Sequence, residues 1–192
     1  MPLTIGLTGG IAAGKSEALA AFERLGAATL SSDAVVHELL ESEPLIGRLV
    51  ERWGAEVAPG GEVDRAKIGS IVFADPEQLI WLEQQIHPLV GERTAAWLAS
   101  LPAGTEVAVV EVPLLFEAGR DQVFHTTVAI VSGDEVRRAR AEARGHTLVD
   151  EREARQLPQE EKAARAAHVV ANDGTVEDLE RSLSALLEKL RE

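Results

Sequence analysis

Gly9-Gly10-Ile11-Ala12-Ala13-Gly14-Lys15-Ser16 follows the apolar run Leu3 to Leu7 and leads into a helix-like stretch, Glu17 to Leu25. The spacing from Gly9 to Gly14, closed by Lys15 and Ser16, is the G-x-x-x-x-G-K-[ST] pattern of a phosphate-binding loop, and a strand before with a helix after is the context such a loop needs. Glycines let the backbone curl so that successive N–H groups point at phosphate oxygens, and the positive end of the following helix adds to the same field. The expected ATP-binding segment is therefore Gly10, Ile11, Ala12, Ala13, Gly14, Lys15, Ser16 and the adjoining Glu17. Lys15 is placed to reach the β- and γ-phosphates, and the Ser16 hydroxyl to ligate Mg²⁺. With sixteen glycines in the chain, a Gly-rich turn can be only a turn. The full pattern, however, arises by chance with a probability of roughly one per cent or less.

A chain of 192 residues with 45% hydrophobic content fits one domain, or one core with insertions. No apolar run approaches the length of a membrane span, and no basic stretch precedes an apolar segment at the N-terminus, so a cytoplasmic protein without membrane association is expected. The absence of cysteine excludes disulfides, thiol catalysis and cysteine metal sites. A formal net charge of −13 argues against nucleic acid or an anionic membrane as partner. A small polyphosphate still needs a local positive field. Of only four lysines one is Lys15, so arginines must supply most of the rest, and they cluster at Arg137, Arg138, Arg140 and Arg144.

The run Leu3 to Leu7 reads as a central parallel strand covered on both faces. Ala27 to Leu30 is a second short strand, ending at Ser31-Ser32-Asp33. A carboxylate just past the carboxyl end of a strand lies on the edge where open α/β sheets bind ligands; equally, Ser32 or Asp33 can cap the helix Ala34 to Leu40. Residues Ser42 to Leu101 show helical patterns at Leu45 to Trp53, from Asp64 through Phe73, and at Glu77 to Leu98, with no comparable strand. His87-Pro88 inside this region has the pattern of a turn or cap. Glu106 to Val112 restores the sheet. Glu111 at its end has the position of an acid that assists a nucleotide-bound metal, or of a strand-end residue facing solvent. Thr126 to Val131 is the next strand. The helix from Asp134 then places Arg137, Arg140 and Arg144 on one face, either solvated or acting as a guanidinium-lined flap over polyphosphate, and Gly145 ends it. Val169 to Ala171, the turn Asn172-Asp173-Gly174 and the amphipathic helix Val176 to Leu190 close the chain. The fold class is α/β: a parallel five-stranded sheet flanked by helices, of the P-loop NTPase type, with a helical insertion. A GTPase is excluded, because neither N-K-x-D nor D-x-x-G occurs. A regulatory ATP-binding module remains open, while Asp33, the arginine face and the helical insertion favour a small-molecule kinase.

Over nearly its whole length the chain resembles bacterial dephospho-coenzyme A kinase. The residues that carry this are Ile5 to Ser16, Asp33-Ala34-Val35-Val36-His37-Glu38, Asp64-Arg65, Ile71-Val72-Phe73 and Ile86-His87-Pro88-Leu89-Val90. Val112-Pro113-Leu114-Leu115-Phe116-Glu117, Gln156-Leu157-Pro158 with Lys162, and Asn172 with Gly174 complete it. The resemblance implies ATP-dependent phosphorylation of the ribose 3′-hydroxyl of dephospho-coenzyme A, with Mg²⁺ accompanying ATP and a monomeric enzyme. It implies a core of residues 1–33, 104–134 and 167–192, a helical acceptor-binding region of about 34–103 and a lid of about 135–166. It makes Asp33, Lys15 and Arg140 the catalytic residues, places Arg144, Asn172 and Gly174 on ATP, and gives Ser16 and Glu111 to the metal. Thr8, Asp33, His87, Pro88, Phe116 and Glu117 are implied on the acceptor side. Three positions depart from the family pattern: Ser31 replaces the first acid of D-x-D, Glu111 replaces an Asp, and Ala167 replaces an Asp before the last strand.

Overall fold

The computed structural model describes residues 1–143 and 156–191. Five strands, β1 (Leu3–Gly9), β2 (Ala28–Ser31), β3 (Val107–Glu111), β4 (Thr126–Val131) and β5 (His168–Ala171), form one parallel sheet in the order β2-β3-β1-β4-β5. This is the α/β architecture read from the sequence, with strand ends displaced by a residue or two. β1 runs on to Gly9 because Thr8 and Gly9 pair with Ala129 and Ile130, and β2 ends at Ser31, paired with Glu111. Since all strands are parallel, Gly9, Ser31, Glu111, Val131 and Ala171 share one edge of the sheet, the edge at which open α/β sheets bind ligands.

Strand residues alternate between two covered faces. On one, Ile5, Leu7, Val107, Val109, Val128 and Ile130 pack against Ala18, Ala21 and Phe22 of α1 (Lys15–Arg24) and against Leu179, Leu183 and Leu187 of α8 (Val176–Arg191). The four-residue spacing of the leucines puts all three on one stripe of α8. Full burial of Phe22 alone contributes roughly 1.5–3 kcal/mol. On the other face Gly6 leaves room for the Phe124 ring: a methyl group there would stand 2.7 Å from Cδ2 of that ring. Helix α7 (Gln159–Arg165) packs on β1 and β4. Coverage on both faces explains why these strands read as unbroken apolar runs. Helix α6 (Asp134–Ala143) follows β4.

By its contacts the chain divides into Met1–Ser31 with Leu101–Glu192, which holds the sheet, and Ser32–Ser100, which is helical. The second unit contains α2 (Ser32–Leu40), α3 (Glu43–Trp53), α4 (Arg65–Ala74) and α5 (Pro76–Ser100). Asp64 caps α4, accepting from Lys67 N–H at 3.0 Å. Trp53 and Trp81 meet edge to face at 5.1 Å, and the Gln78 carboxamide oxygen accepts from Trp53 Nε1 and Arg52 Nε, so two of the tryptophans serve packing. The helix read over Glu77 to Leu98 is α5, and it runs on through His87-Pro88, where the dipeptide alone has the pattern of a turn or cap. Burial of Ile86 and Val90, one helical turn apart, outweighs the single hydrogen bond that Pro88 removes, and both His87 and Pro88 face outward.

Helix α8 begins with a reciprocal capping pair. Thr175 N–H donates to Asp178 Oδ2 at 3.1 Å, Asp178 N–H donates to Thr175 Oγ1 at 3.2 Å, and the Thr175 carbonyl accepts from Leu179 N–H. The Thr175 backbone N–H, then Arg181 and the Thr175 hydroxyl, hold the Asp178 carboxyl below its ordinary value of 3.8. Its stabilising effect is present above 3.8 and is lost as pH falls through the lowered folded value. Thr175→Ala should cost about 1 kcal/mol in urea unfolding at neutral pH. The same variant should also lose less stability than the parent between neutral and strongly acid pH.

Candidate active site

The loop between β1 and α1 is held by steric demands at both ends. A methyl group on Gly9 would stand 2.3 Å from the Ile130 carbonyl oxygen, and one on Gly14, whose φ is +96°, would stand 2.1 Å from Asn172 Nδ2. Ala12 is left-handed at φ +58°, a conformation that costs a non-glycine residue on the order of 1 kcal/mol. Gly14 precedes the first turn of α1, and its carbonyl starts the helix by accepting from Ala18 N–H at 2.9 Å. The leading N–H groups of a helix have no intrahelical acceptor, so loop and helix start together form an anion site. The Lys15 side chain folds back over the first half of the loop, where Nζ donates to the carbonyls of Gly9 at 3.2 Å and Gly10 at 2.9 Å.

The rear of the loop is tied to the ends of β4 and β5 through one carbonyl. Ala13 is fully buried, and its oxygen faces donors from Asn172 Nδ2 at 2.9 Å, Ser132 Oγ at 3.2 Å and Arg140 Nη1 at 3.4 Å. Ser132 Oγ also donates to the Asn172 carbonyl at 2.7 Å and accepts from Arg140 Nη1 at 3.1 Å. From α7 the Gln159 carboxamide takes both backbone groups of Ser132, accepting from its N–H at 2.9 Å and donating to its carbonyl at 3.0 Å. Arg140, which the resemblance makes a catalytic residue, and Asn172, which it places on ATP, thus both touch the loop itself.

At the same sheet edge Glu111 is buried, 6% exposed, and pairs with Leu7 and Ser31. Beyond it, the Pro113 carbonyl accepts from Thr8 Oγ1 at 3.3 Å and from Lys162 Nζ. Lys162 is fully buried and lies 3.0 Å from Glu117 Oε1, which also accepts from Leu157 N–H at 2.8 Å. Burial pushes the Lys162 ammonium below its ordinary value, with Glu117 opposing the shift. Phe116 is buried beside this pair in sequence.

Ser16 is exposed at the start of α1, and Glu17 is engaged by Arg24 at 3.0 Å. Gly174 lies in the turn before α8. Asp33, exposed in the first turn of α2, belongs to the helical unit together with His87 and Pro88. A carboxylate there favours the helix N-terminus, and no side-chain bond of Asp33 or Ser32 to the α2 backbone is seen. Arg144 and Gly145 lie outside the described residues. Sequence reasoning missed Ser132 and Gln159 and gave Lys162 no role. Ser132 follows the carboxyl end of a strand, a position that the sheet-edge rule flags. Gln159 and Lys162 carry no local signal, because their partners are distant in sequence.

A family model described as dephospho-CoA kinase matches residues 3–178. The dephospho-CoA kinase of Syntrophotalea carbinolica is 35% identical over 196 residues, covering 98% of this chain and 92% of its own. The Thermus thermophilus protein TT1252, known as a crystal structure, superposes with a TM-score of 0.84 at 37% identity, covering 98% of both chains. Shikimate kinase from Acinetobacter baumannii, at a TM-score of 0.54 and 16% identity over 100% of this chain and 96% of its own, shares the fold. The loop geometry and the full-length match together settle the classification: the chain belongs to the dephospho-CoA kinase family.

Proposed function

We infer that this protein transfers the γ-phosphoryl group of ATP to the ribose 3′-hydroxyl of dephospho-coenzyme A, giving coenzyme A and ADP. The observation that carries this reading is the complete phosphate loop, with Lys15 folded across Gly9 and Gly10, in a chain that the family pattern spans from residue 3 to 178. The loop supports the donor; the family supports the acceptor.

Loop amides and Lys15 bind the triphosphate and stabilise the charge that develops on the transferring group. The hydroxyl of Ser16 and the carboxylate of Glu111 are hard oxygen donors that fit Mg²⁺, an ion that keeps its remaining positions for water and phosphate oxygens. Held there, the ion would supply neutralisation of the charge that develops on the transferring group. Asp33 orients the acceptor hydroxyl and takes its proton as the new O–P bond forms and the bond to ADP breaks. With Ser31 in place of a second acid, that role falls on Asp33 alone. Thr8, His87, Pro88, Phe116 and Glu117 serve the acceptor side, Asn172 and Gly174 the nucleotide. No helix among the described residues is long and apolar enough to cross a membrane, and the reading includes a cytoplasmic monomer.

ADP release is the direct test, measured with ATP and Mg²⁺ against dephospho-coenzyme A, nucleoside monophosphates and no acceptor, with Lys15→Ala as blank. Turnover should require dephospho-coenzyme A and should stop when the metal is chelated; turnover with a monophosphate instead would overturn the acceptor assignment. Asp33→Asn should keep folding and ATP affinity while lowering kcat about 100- to 10,000-fold. Full activity of that variant would leave Asp33 as a residue of the α2 N-terminus only.

A further inference from the structure

Arg137 stands one helical turn before Arg140 on α6, yet its environment differs. Its side chain is 15% exposed. Among the described residues its one partner is Asp134, whose Oδ1 accepts from Nη2 at 3.0 Å; that carboxylate is 65% exposed, so the pair contributes little. Nε is buried and has no acceptor. Nη1 lies against the loop, since a methyl group built on Gly10 would stand 3.1 Å from it. Arg140, by contrast, spends its Nη1 on Ala13 and Ser132 behind the loop.

A largely buried guanidinium with unspent donors is costly in the protein alone and becomes favourable when an anion supplies the acceptors. Lys15 marks which part of the anion that is. Its ammonium group sits on the carbonyls of Gly9 and Gly10, and the lysine of such a loop serves the β- and γ-phosphates. Arg137 adjoins the same Gly10.

We propose that Arg137 contacts the terminal phosphoryl group of the bound nucleoside triphosphate and thereby sets the preference for ATP over ADP. The proposal rests on the phosphate-loop reading and adds to it a second cation, on α6, at the γ end of the loop. Because the fork of a guanidinium matches phosphate oxygens bidentately, lysine is only a partial substitute.

The test is calorimetric binding of Mg²⁺·ATP and Mg²⁺·ADP to the parent protein, Arg137→Met and Arg137→Lys, with thermal unfolding of each without nucleotide. Arg137→Met should lose about 10- to 100-fold of ATP affinity while ADP affinity is unchanged, and Arg137→Lys should recover part of the loss. The unliganded midpoint of Arg137→Met should not fall, because among the described residues the donors removed have one partner, the exposed Asp134 carboxylate. Equal loss of ATP and ADP affinity, or an unchanged ATP-to-ADP ratio, overturns the proposal and leaves the loop reading intact. A lowered midpoint with that ratio intact makes Arg137 a structural residue. A parent protein that binds neither nucleotide overturns both.

Discussion

The carbonyl of Ala13 carries the constraint on which the rest of the sheet edge depends. A loop that turns successive N–H groups inward toward an anion turns carbonyls the other way, and Ala13 is fully buried, so its oxygen has no water to accept from. Asn172, Ser132 and Arg140 supply the donors. They come from the ends of β5 and β4 and from α6. The strand order follows the same demand: β4 lies beside β1 with Gly9 opposite Ile130, and β5 beside β4, which brings Ser132 and Asn172 to the loop. A loop of eight residues is thus fixed by groups more than a hundred residues away.

That separation explains how much was legible in the sequence. Local signals were sufficient for the strands, because burial on both faces demands the apolar runs seen in β1 and β3, and for the loop, because Gly9 and Gly14 meet backbone and side-chain atoms that exclude any Cβ. At His87-Pro88 the two local signals disagreed: the helical pattern over Glu77 to Leu98 holds, and the turn or cap suggested by the dipeptide does not, because packing of Ile86 and Val90 carries α5 past the proline. Ser132, just past the end of β4, stood where the sheet-edge rule points, whereas the parts played by Gln159 and Lys162 were not legible. Their importance comes from which carbonyls and carboxylates the fold sets opposite them, and neither periodicity nor spacing encodes that.

Electrostatics at the edge follow from placement rather than composition. The chain carries a net charge of −13, yet the loop is met by Lys15, Arg137 and Arg140. Lys162 adds little to that field despite lying at the same edge, because Glu117, the Pro113 carbonyl and the Gln156 carboxamide surround it with negative charge and dipole. Separating two charges from water is expensive, and the pair persists because both carry further hydrogen bonds. Its consequence is positional. Thr8 at the end of β1 and the segment after β3 converge on the Pro113 carbonyl that Lys162 also holds.

Gln159 extends this logic from charge to rigidity. Its carboxamide occupies the N–H and the carbonyl of Ser132 as a neighbouring strand would, closing the backbone demands of the chain just past β4. Ser132 is then held from both sides, by α7 through its main chain and by Asn172 and Arg140 through its hydroxyl, before any anion is present. Donors fixed in advance need not reorganise as charge moves during phosphoryl transfer, and the stabilisation they provide is correspondingly larger than that of groups free to relax. The cost of that fixation appears locally, in the left-handed Ala12 and the part-buried Arg137.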